Sequence, residues 1–206
     1  MKGKFITFEG SEGCGKSTQS KLLYQYLKRS GYRVLYLREP GSTKVSEKIR
    51  KILLDARNDS MCAVTEMLLY MAARAQIVAE IIKPALAAGR IVICDRFLDS
   101  TIAYQGYGLG MDIGMIKTIG ALTTQGVKPD LTILLDLPIE KGFKYHDPRK
   151  DRIEQRSGAY HAAVRKGYLQ LARQDPARVK VIHGQADKQQ IQQQIRLHVD
   201  KFLKRS

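Results

Sequence analysis

A glycine-rich loop near the start of the chain constrains its fold more than any other feature. Residues 10–17 read Gly-Ser-Glu-Gly-Cys-Gly-Lys-Ser and match the pattern G-x-x-x-x-G-K-[ST]. A β-rich run, Lys4 to Glu9, precedes the loop, and Ser17 to Lys28 follows it with apolar residues at helical spacing. In such a loop the backbone N–H groups converge on phosphate oxygens, and the dipole of the next helix favours negative charge. The sequence therefore predicts a strand, a loop and a helix that together bind a nucleoside triphosphate.

The side chains of the loop divide this work. Lys16 supplies a mobile cation, and the hydroxyl of Ser17 is expected to be a ligand of Mg²⁺. The residues expected to contact ATP are Gly10, Ser11, Glu12, Gly13, Cys14, Gly15, Lys16, Ser17 and Thr18.

Four further apolar, β-rich runs alternate with helical patterns along the chain: Val34 to Leu37, Ile91 to Cys94, Leu131 to Leu135 and Val179 to Ile182. The helical patterns include Val64 to Ala88, which Pro84 is expected to kink or shorten, and Lys188 to Leu203. Short, nearly continuous apolar strands separated by helices are typical of buried parallel sheets. We therefore predict an α/β fold that carries a phosphate-binding loop, with about five parallel strands covered by helices on both faces.

The length of the chain bounds its domain organisation. With 206 residues, of which 44% are hydrophobic, we expect one domain over residues 1–206. The charged segment of approximately residues 145–156 is expected to form a small mobile lid.

Composition narrows the compartment and the partners. No apolar run is long enough to span a bilayer, and the first residues lead into a strand without a secretory signal, so we expect a cytoplasmic protein and no membrane contact. The three cysteines lack C-x-x-C spacing, which argues against a zinc site. The net charge is +15, yet the basic residues are scattered along the predicted helices, so we expect no specific nucleic-acid binding.

Polar residues follow the second and third predicted strands. In an open parallel sheet, ligands bind beyond the carboxyl ends of the strands, so Arg38 to Thr43 and Asp95 to Gly106 are expected to meet the phosphate loop. The guanine-reading pattern Asn-Lys-x-Asp is missing from the sequence, whereas arginines gather where an acceptor phosphate would lie. Because guanidinium groups bind phosphate oxygens bidentately, the pattern favours phosphoryl transfer from ATP to another phosphate.

These motifs resemble the thymidylate kinase family over nearly the whole chain. The resemblance rests on the loop with its internal Glu12, on Arg-Glu-Pro-Gly at 38–41, on Tyr-Met-Ala-Ala-Arg-Ala-Gln at 70–76, and on Asp-Arg-Phe at 95–97 with the residues up to Gly106. Asp-Arg-Ile-Glu-Gln at 151–155 and Gly-Tyr-Leu at 167–169 resemble the bacterial branch, whose catalytic arginines lie in the lid. The resemblance implies a P-loop kinase fold and an enzyme that transfers the γ-phosphoryl group of ATP to dTMP, with Mg²⁺ as cofactor and a homodimeric assembly.

The resemblance also implies a role for each matching residue. Arg96 and Arg50 would hold the acceptor phosphate, Glu12 would accept a hydrogen bond from the sugar 3′-hydroxyl, and Tyr104 would exclude a 2′-hydroxyl. The implied substrate contacts are Glu12, Glu39, Arg50, Tyr70, Arg74, Arg96, Ser100, Thr101, Tyr104 and Gln105.

The base and the metal complete the implied site. Tyr70 would stack on thymine, Arg74 would donate to a thymine carbonyl, and Thr101 and Gln105 would face the base edge. Glu39 would help order the metal or phosphate region. The implied catalytic residues are Lys16, Arg96, Arg149, Arg152 and Asp95. Asp95 would act on the metal through water, and Arg149 and Arg152 would close the lid over the transferring phosphoryl group.

Two other functions fit the same loop. One is a kinase for a different monophosphate, such as dUMP, CMP or AMP, since the 5-methyl group distinguishes thymine only weakly. The other is a P-loop ATPase that acts as a conformational switch on nucleic acid, which the positive charge suggests.

Overall fold

Five parallel strands form the centre of the molecule. The computed structural model describes residues 3–142 and 151–204. The strands are β1 (Lys4–Glu9), β2 (Val34–Arg38), β3 (Ile91–Asp95), β4 (Leu131–Asp136) and β5 (Val179–His183), in the spatial order β2-β3-β1-β4-β5. Every residue of β3 and β4 is buried, as expected of strands whose two faces are both covered. The predicted α/β fold with a five-stranded parallel sheet is confirmed.

Helices cover both faces of this sheet. They are α1 (Lys16–Arg29), α2 (Lys44–Leu54), α3 (Ala63–Ile77), α4 (Lys83–Ala87), α5 (Leu98–Thr101), α6 (Ile113–Thr124), α7 (Ile139–Gly142), α8 (Gly158–Gln174) and α9 (Lys188–Lys204), with π-helical segments π1 (Val78–Ile82) and π2 (Ile102–Gly108). The helices α1 and α9 pack on the face that carries Ile6 and Phe8. The helical run through π1 packs on the opposite face, around Phe5 and Val92. No helix in the described ranges has the length and apolar character that crossing a membrane requires.

The long helical pattern across residues 63–87 is not uniform. It runs from α3 through π1 into α4, and Pro84 lies in the first turn of α4. Proline has no N–H, and its ring clashes with the carbonyl four residues earlier, so the α-helical ladder cannot continue unchanged through this position. The wider π turn precedes Pro84, and the helix continues beyond it.

Strand order decides where the functional loops meet. β1 lies between β3 and β4, with Phe8 opposite Asp95 and Glu9 opposite Leu134. The chain leaves β1 toward the β2 edge and later crosses to β4, so the direction of winding changes beside β1. The loops after β1 and β3 therefore leave the sheet side by side, at the place where open parallel sheets bind ligands.

Candidate functional site

A cavity of about 410 Å³ opens at the carboxyl ends of β1, β2 and β3. Fifteen residues selected from the sequence line it: Glu12, Gly13, Gly15, Lys16, Ser17, Thr18, Glu39, Arg50, Tyr70, Asp95, Arg96, Ser100, Thr101, Tyr104 and Gln105. Six further lining residues had been given no individual role, although five of them fall in the stretches expected after the second strand and in the lid: Arg38, Pro40, Leu54, Asp151, Ile153 and Glu154.

The glycine-rich loop bends tightly between β1 and α1. Gly10, Gly13 and Gly15 have positive φ angles of 140°, 70° and 87°, which side chains disfavour. A Cβ atom at Gly10 would also collide with the carbonyl of Leu135. The amino group of the buried Lys16 donates to the carbonyl oxygen of Ser11 at 2.6 Å, so the loop curls around its own cation.

Ser17 and Asp95 bring a hydroxyl and a carboxylate together at the start of α1. The Ser17 hydroxyl donates to Asp95 Oδ2 at 2.5 Å. Oxygen donors of these two kinds suit Mg²⁺, which takes few protein ligands and completes its shell with water and phosphate oxygens. The two side chains thus fit the metal position implied by the resemblance, although the described ranges hold no cluster of three or more metal-ligating side chains.

Arg96 is the central cation of the cavity. Its φ of 72° lies in the left-handed region, which is uncommon outside glycine and is often found at functional sites. Nη2 donates to Glu12 Oε1 at 2.8 Å and to the Tyr104 hydroxyl at 3.0 Å, and Nη1 donates to the Gly10 carbonyl at 3.1 Å. The guanidinium group therefore links the phosphate loop to π2.

Glu12 and Arg96 form a charge pair that also determines the state of Glu12. Burial alone would raise the pKa of the Glu12 carboxyl, but the charges of Arg96 and Lys16 outweigh it and lower the pKa to about 2. The Tyr104 hydroxyl donates to the same oxygen, Glu12 Oε1, at 2.8 Å. Glu12 is therefore an ionised acceptor at the mouth of the loop.

Glu9 and Tyr168 belong to the hydrogen-bond network that holds Arg96 on the side away from Glu12. The sequence analysis gave neither residue a role. The Ser100 and Tyr168 hydroxyls both donate to Glu9 Oε2, at 2.5 and 3.1 Å, and both accept from Arg96 Nη1. Burial, together with the charge of Asp99, raises the pKa of the Glu9 carboxyl to about 7. The only sequence signals were the acid before the loop and the Gly-Tyr-Leu motif at 167–169.

Arg74 lies behind the cavity wall. Its side chain is 2% exposed and donates to Glu39 Oε2 at 2.8 Å, to Thr101 Oγ1 at 2.9 Å and to the Phe97 carbonyl at 2.9 Å. Glu39 and Thr101 line the cavity in front of it. Burial raises the pKa of the Glu39 carboxyl to about 7, and the charge of Arg74 only partly opposes this. The carboxylate of Glu39 thus contacts Arg74, whereas we expected it to serve the metal or phosphate region.

Two arginines stand at the β2 side of the cavity. Arg50 Nη1 donates to the Pro40 carbonyl at 3.0 Å, and Arg38 Nη2 pairs with Glu47 at 2.9 Å. Burial and the charge of Arg38 both lower the pKa of Arg50. Arg50 thus lies near a second guanidinium group at the cavity wall, an arrangement that favours a bound anion.

The lid arginines have different outcomes. Arg149 lies outside the described residues. Arg152 does not line the cavity; its side chain pairs with Glu66 Oε2 at 2.5 Å and donates to the Leu53 carbonyl at 3.1 Å. We expected Arg152 to lie over the transferring phosphoryl group, and the structure places it elsewhere. Its neighbours Asp151 and Ile153 line the cavity, whereas Arg152 points away and pairs with the fully buried Glu66.

Comparison with known proteins gives consistent results. The family model described as thymidylate kinase matches residues 8–195. The chain is similar to a thymidylate kinase of Geotalea uraniireducens (strain Rf4), with 52% identity over 88% of this chain and 89% of the relative. It is also similar to a thymidylate kinase of Thermoanaerobacter sp. (strain X514), with 47% identity over 98% of this chain and 100% of the relative. Among solved structures, a thymidylate kinase from Ehrlichia chaffeensis superposes with a TM-score of 0.79 and 34% identity, covering 97% of this chain and 99% of that one.

Proposed function

Because this chain belongs to the thymidylate kinase family and phosphorylates dTMP to dTDP with ATP as donor, we propose that both substrates meet at Arg96. The triphosphate lies on the loop at Lys16, and the acceptor phosphate lies between Arg96 and Arg50. Arg96 contacts the Gly10 carbonyl and Glu12 of the loop, so it borders the donor site and the acceptor site at once. This position is the observation that carries the proposal.

The chemistry needs positive charge more than a base. The acceptor oxygen of dTMP is already anionic, and the main obstacle is the repulsion between two phosphates brought into line. Lys16, Arg96 and Arg50 provide fixed cations around that point. Because these groups are held by contacts before the reaction, little reorganisation is needed when charge shifts in the transition state.

The sugar lies between Glu12 and Tyr104. Glu12 is ionised and accepts a hydrogen bond from the 3′-hydroxyl, in place of one of its present donors. The ring of Tyr104 packs edge-on against Tyr160 and Tyr168, at 6.3 and 6.1 Å between centroids, and its hydroxyl is fixed by Glu12 and Arg96. A ring held so firmly leaves no room for a 2′-hydroxyl.

The base lies beyond the sugar, against α3 and π2. Tyr70 stacks on the thymine ring, and Thr101, Gln105 and Ser100 border it. Arg74 lies behind this wall and donates to Thr101 Oγ1 at 2.9 Å, so we assign it to holding Thr101 toward the base and not to a direct contact with a thymine carbonyl.

Ser17 and Asp95 hold Mg²⁺ in this proposal, with Asp95 acting through water. When bound, Mg²⁺ neutralises charge on the donor phosphates and orients them. Arg149 is assigned to the lid that closes over the donor, and Arg152 is assigned to holding the lid segment against Glu66.

We further propose one domain over residues 1–206, with a lid at approximately 145–156, acting in the cytoplasm as a homodimer without specific nucleic-acid binding. Support for the dimer comes from exposed apolar side chains on three helices that pack beside one another: Val45 and Ile52 on α2, Val64 and Leu68 on α3, and Met115 and Leu122 on α6. Light scattering across protein concentrations tests this assembly, and a monomer at every concentration would contradict it.

The decisive experiment measures ADP formation from Mg-ATP with dTMP, dUMP, TMP, CMP, AMP or no acceptor. Wild type is compared with Arg96→Ala and with Arg57→Ala, a surface arginine paired with Asp55, as the matched control. We expect dTMP-dependent turnover that falls by about 10²–10³-fold in Arg96→Ala alone. ADP release without an acceptor, or activity confined to another monophosphate, would contradict the proposal.

A further inference from the structure

Glu66 is a fully buried carboxylate on α3 that takes no part in the reaction described above. Its side chain has 0% exposure. Arg152 Nη2 and Arg156 Nη2 both donate to its Oε2, at 2.5 and 2.7 Å, and Arg156 Nη1 reaches Oε1 at 3.2 Å. The remaining partner is Gln105, whose Nε2 donates to Oε1 at 2.9 Å.

The charge of Glu66 fixes which way the Gln105 amide faces. Both oxygens of Glu66 accept from guanidinium N–H groups, so the carboxylate offers an acceptor to its remaining partner. The group of Gln105 that faces it must therefore be the NH₂ group. Gln105 also lines the cavity, and its main-chain carbonyl is held by the Met111 N–H at 3.2 Å, so the side chain has a fixed origin. With NH₂ committed to Glu66, the amide oxygen is left for the cavity.

We propose that Glu66 is a positioning residue that makes the acceptor site selective for pyrimidines carrying an N3–H group. By holding the Gln105 amide in one orientation, it presents a hydrogen-bond acceptor to the base edge. Thymine and uracil have a donor at N3, whereas N3 of cytosine is itself an acceptor and would face an oxygen without a hydrogen between them. The proposal rests on the placement of the base beside Gln105 proposed above.

The contacts of Glu66 with the two arginines also explain why the Gln105 amide does not turn over. Arg152 Nη2 and Arg156 Nη2 both donate to Oε2, whereas Oε1 accepts from Gln105 Nε2 at 2.9 Å and, at the longer distance of 3.2 Å, from Arg156 Nη1. Arg156 is fixed in turn by Tyr160, whose hydroxyl accepts from Nη1 at 2.8 Å and whose ring lies 4.7 Å from the guanidinium carbon. Residues of the lid segment thus contribute to reading the base without touching it.

Glu66→Gln gives the sharpest test, because the change is isosteric and its effect has a direction. The Oε2 position accepts from two guanidinium groups at 2.5 and 2.7 Å, whereas Oε1 has only the longer contact with Arg156 Nη1 at 3.2 Å. The new amide would therefore keep its oxygen at the Oε2 position and place its NH₂ toward Gln105, with loss of that longer contact. Two NH₂ groups cannot face each other, and Gln105 would turn over and present NH₂ to the cavity. That donor suits cytosine and repels the N3–H of uracil.

The readout is the ratio of kcat/KM for dUMP to that for dCMP, with saturating Mg-ATP and purified full-length protein. These two nucleotides share phosphate, sugar and the lack of a 5-methyl group, and they differ only at positions 3 and 4 of the ring. We expect the ratio to fall by about 10- to 100-fold in Glu66→Gln. Where turnover is too slow to measure, inhibition constants against dTMP provide the same ratio.

Glu80→Gln is the matched control, because exposed Glu80 accepts from the amide of Gln76 at 2.8 Å and neither residue lines the cavity. Its ratio should equal that of wild type. Should Glu66→Gln fail to fold, Gln105→Met carries the test, since it removes the acceptor and leaves Glu66 with both arginines. We expect a similar fall in the ratio for that variant.

An unchanged ratio in a folded Glu66→Gln protein, or in Gln105→Met, would overturn the proposal. Equal losses on dUMP and dCMP would also overturn it, since they would reduce Glu66 to a counter-ion of the two arginines. Turnover of dTMP by wild type is measured in the same assay and tests the proposed substrate placement separately.

Discussion

Arg96 and Glu12 are 84 positions apart in the sequence, yet Arg96 Nη2 lies 2.8 Å from Glu12 Oε1. The pair joins the loop after β1 to the loop after β3. Because each ion is the chief partner of the other, removing either one costs the remaining charge most of its compensation; without Arg96, Glu12 would keep only Lys16 Nζ at 4.0 Å and the Tyr104 hydroxyl.

Glu12→Gln is expected to weaken binding of dTMP. The variant keeps the shape of the side chain but loses the charged acceptor for the 3′-hydroxyl and for Arg96. We expect KM for dTMP to rise by about 10- to 100-fold, with a smaller change in KM for ATP. Steady-state kinetics with each substrate varied in turn measure both values, and Asp55→Asn serves as a surface control. A rise confined to KM for ATP would contradict the assigned role.

Tyr104→Ala is expected to relax discrimination against ribose. Removing the ring opens the space beside the sugar that the aromatic cluster with Tyr160 and Tyr168 now fixes. The ratio of kcat/KM for dTMP to that for TMP should fall by about 10-fold or more. The half-buried Tyr107, which does not line the cavity, gives the control Tyr107→Ala. An unaltered ratio in Tyr104→Ala would show that another group excludes the 2′-hydroxyl.

Glu39 is expected to make stability depend on pH. Burial raises its pKa from 4.5 to about 7, so between these values the folded protein binds the proton more tightly than the unfolded chain does. Stability contributed by this proton is present below pH 4.5 and is lost as pH rises through 7, by up to roughly 3 kcal/mol. Urea unfolding at pH 5.5 and pH 8 should therefore show a smaller loss in Glu39→Gln than in wild type. Equal losses in the two proteins would contradict this.

The three cysteines are expected to react with thiol reagents at very different rates. Cys62 is exposed, and a hydrogen bond with Thr65 at 3.2 Å lowers its pKa, so it should be alkylated first. Cys14 is buried in the phosphate loop, 3.7 Å from Lys16 Nζ, and should react slowly and still more slowly with Mg-ATP present. Mass spectrometry of alkylated peptides over time measures each rate. Alkylation of Cys14 that is unaffected by Mg-ATP would contradict its place in the triphosphate site.

The fold could be predicted because its information is local. Each strand of a doubly covered parallel sheet is a short apolar run, and the loop between β1 and α1 has a fixed pattern of glycines and a lysine. The position of most side chains in the cavity followed from one rule, that loops after parallel strands meet at the carboxyl edge.

The partners of buried charges could not be predicted in this way. Glu9 and Tyr168 are 159 positions apart, and nothing in either neighbourhood indicates that they share a hydrogen bond. From the lid motif we expected Arg152 to lie over the phosphates. In the structure its guanidinium group pairs with the buried carboxylate of Glu66 instead. Contacts of this kind depend on how helices pack, which a single sequence does not reveal.

The strand order has a consequence for how this site could be altered. β1 carries the donor loop, whereas the side chains proposed to read the base stand on α3 and π2, and the two groups are joined mainly through Arg96 and Glu12. Substitutions at Tyr70 or Gln105 therefore change the base side of the cavity without replacing a residue of the donor loop, whereas Glu66 also holds Arg152 and Arg156 of the lid segment. The residues proposed to select the acceptor can therefore be changed separately from those that bind ATP. Variants at these positions are a route to kinases that phosphorylate modified pyrimidine nucleotides.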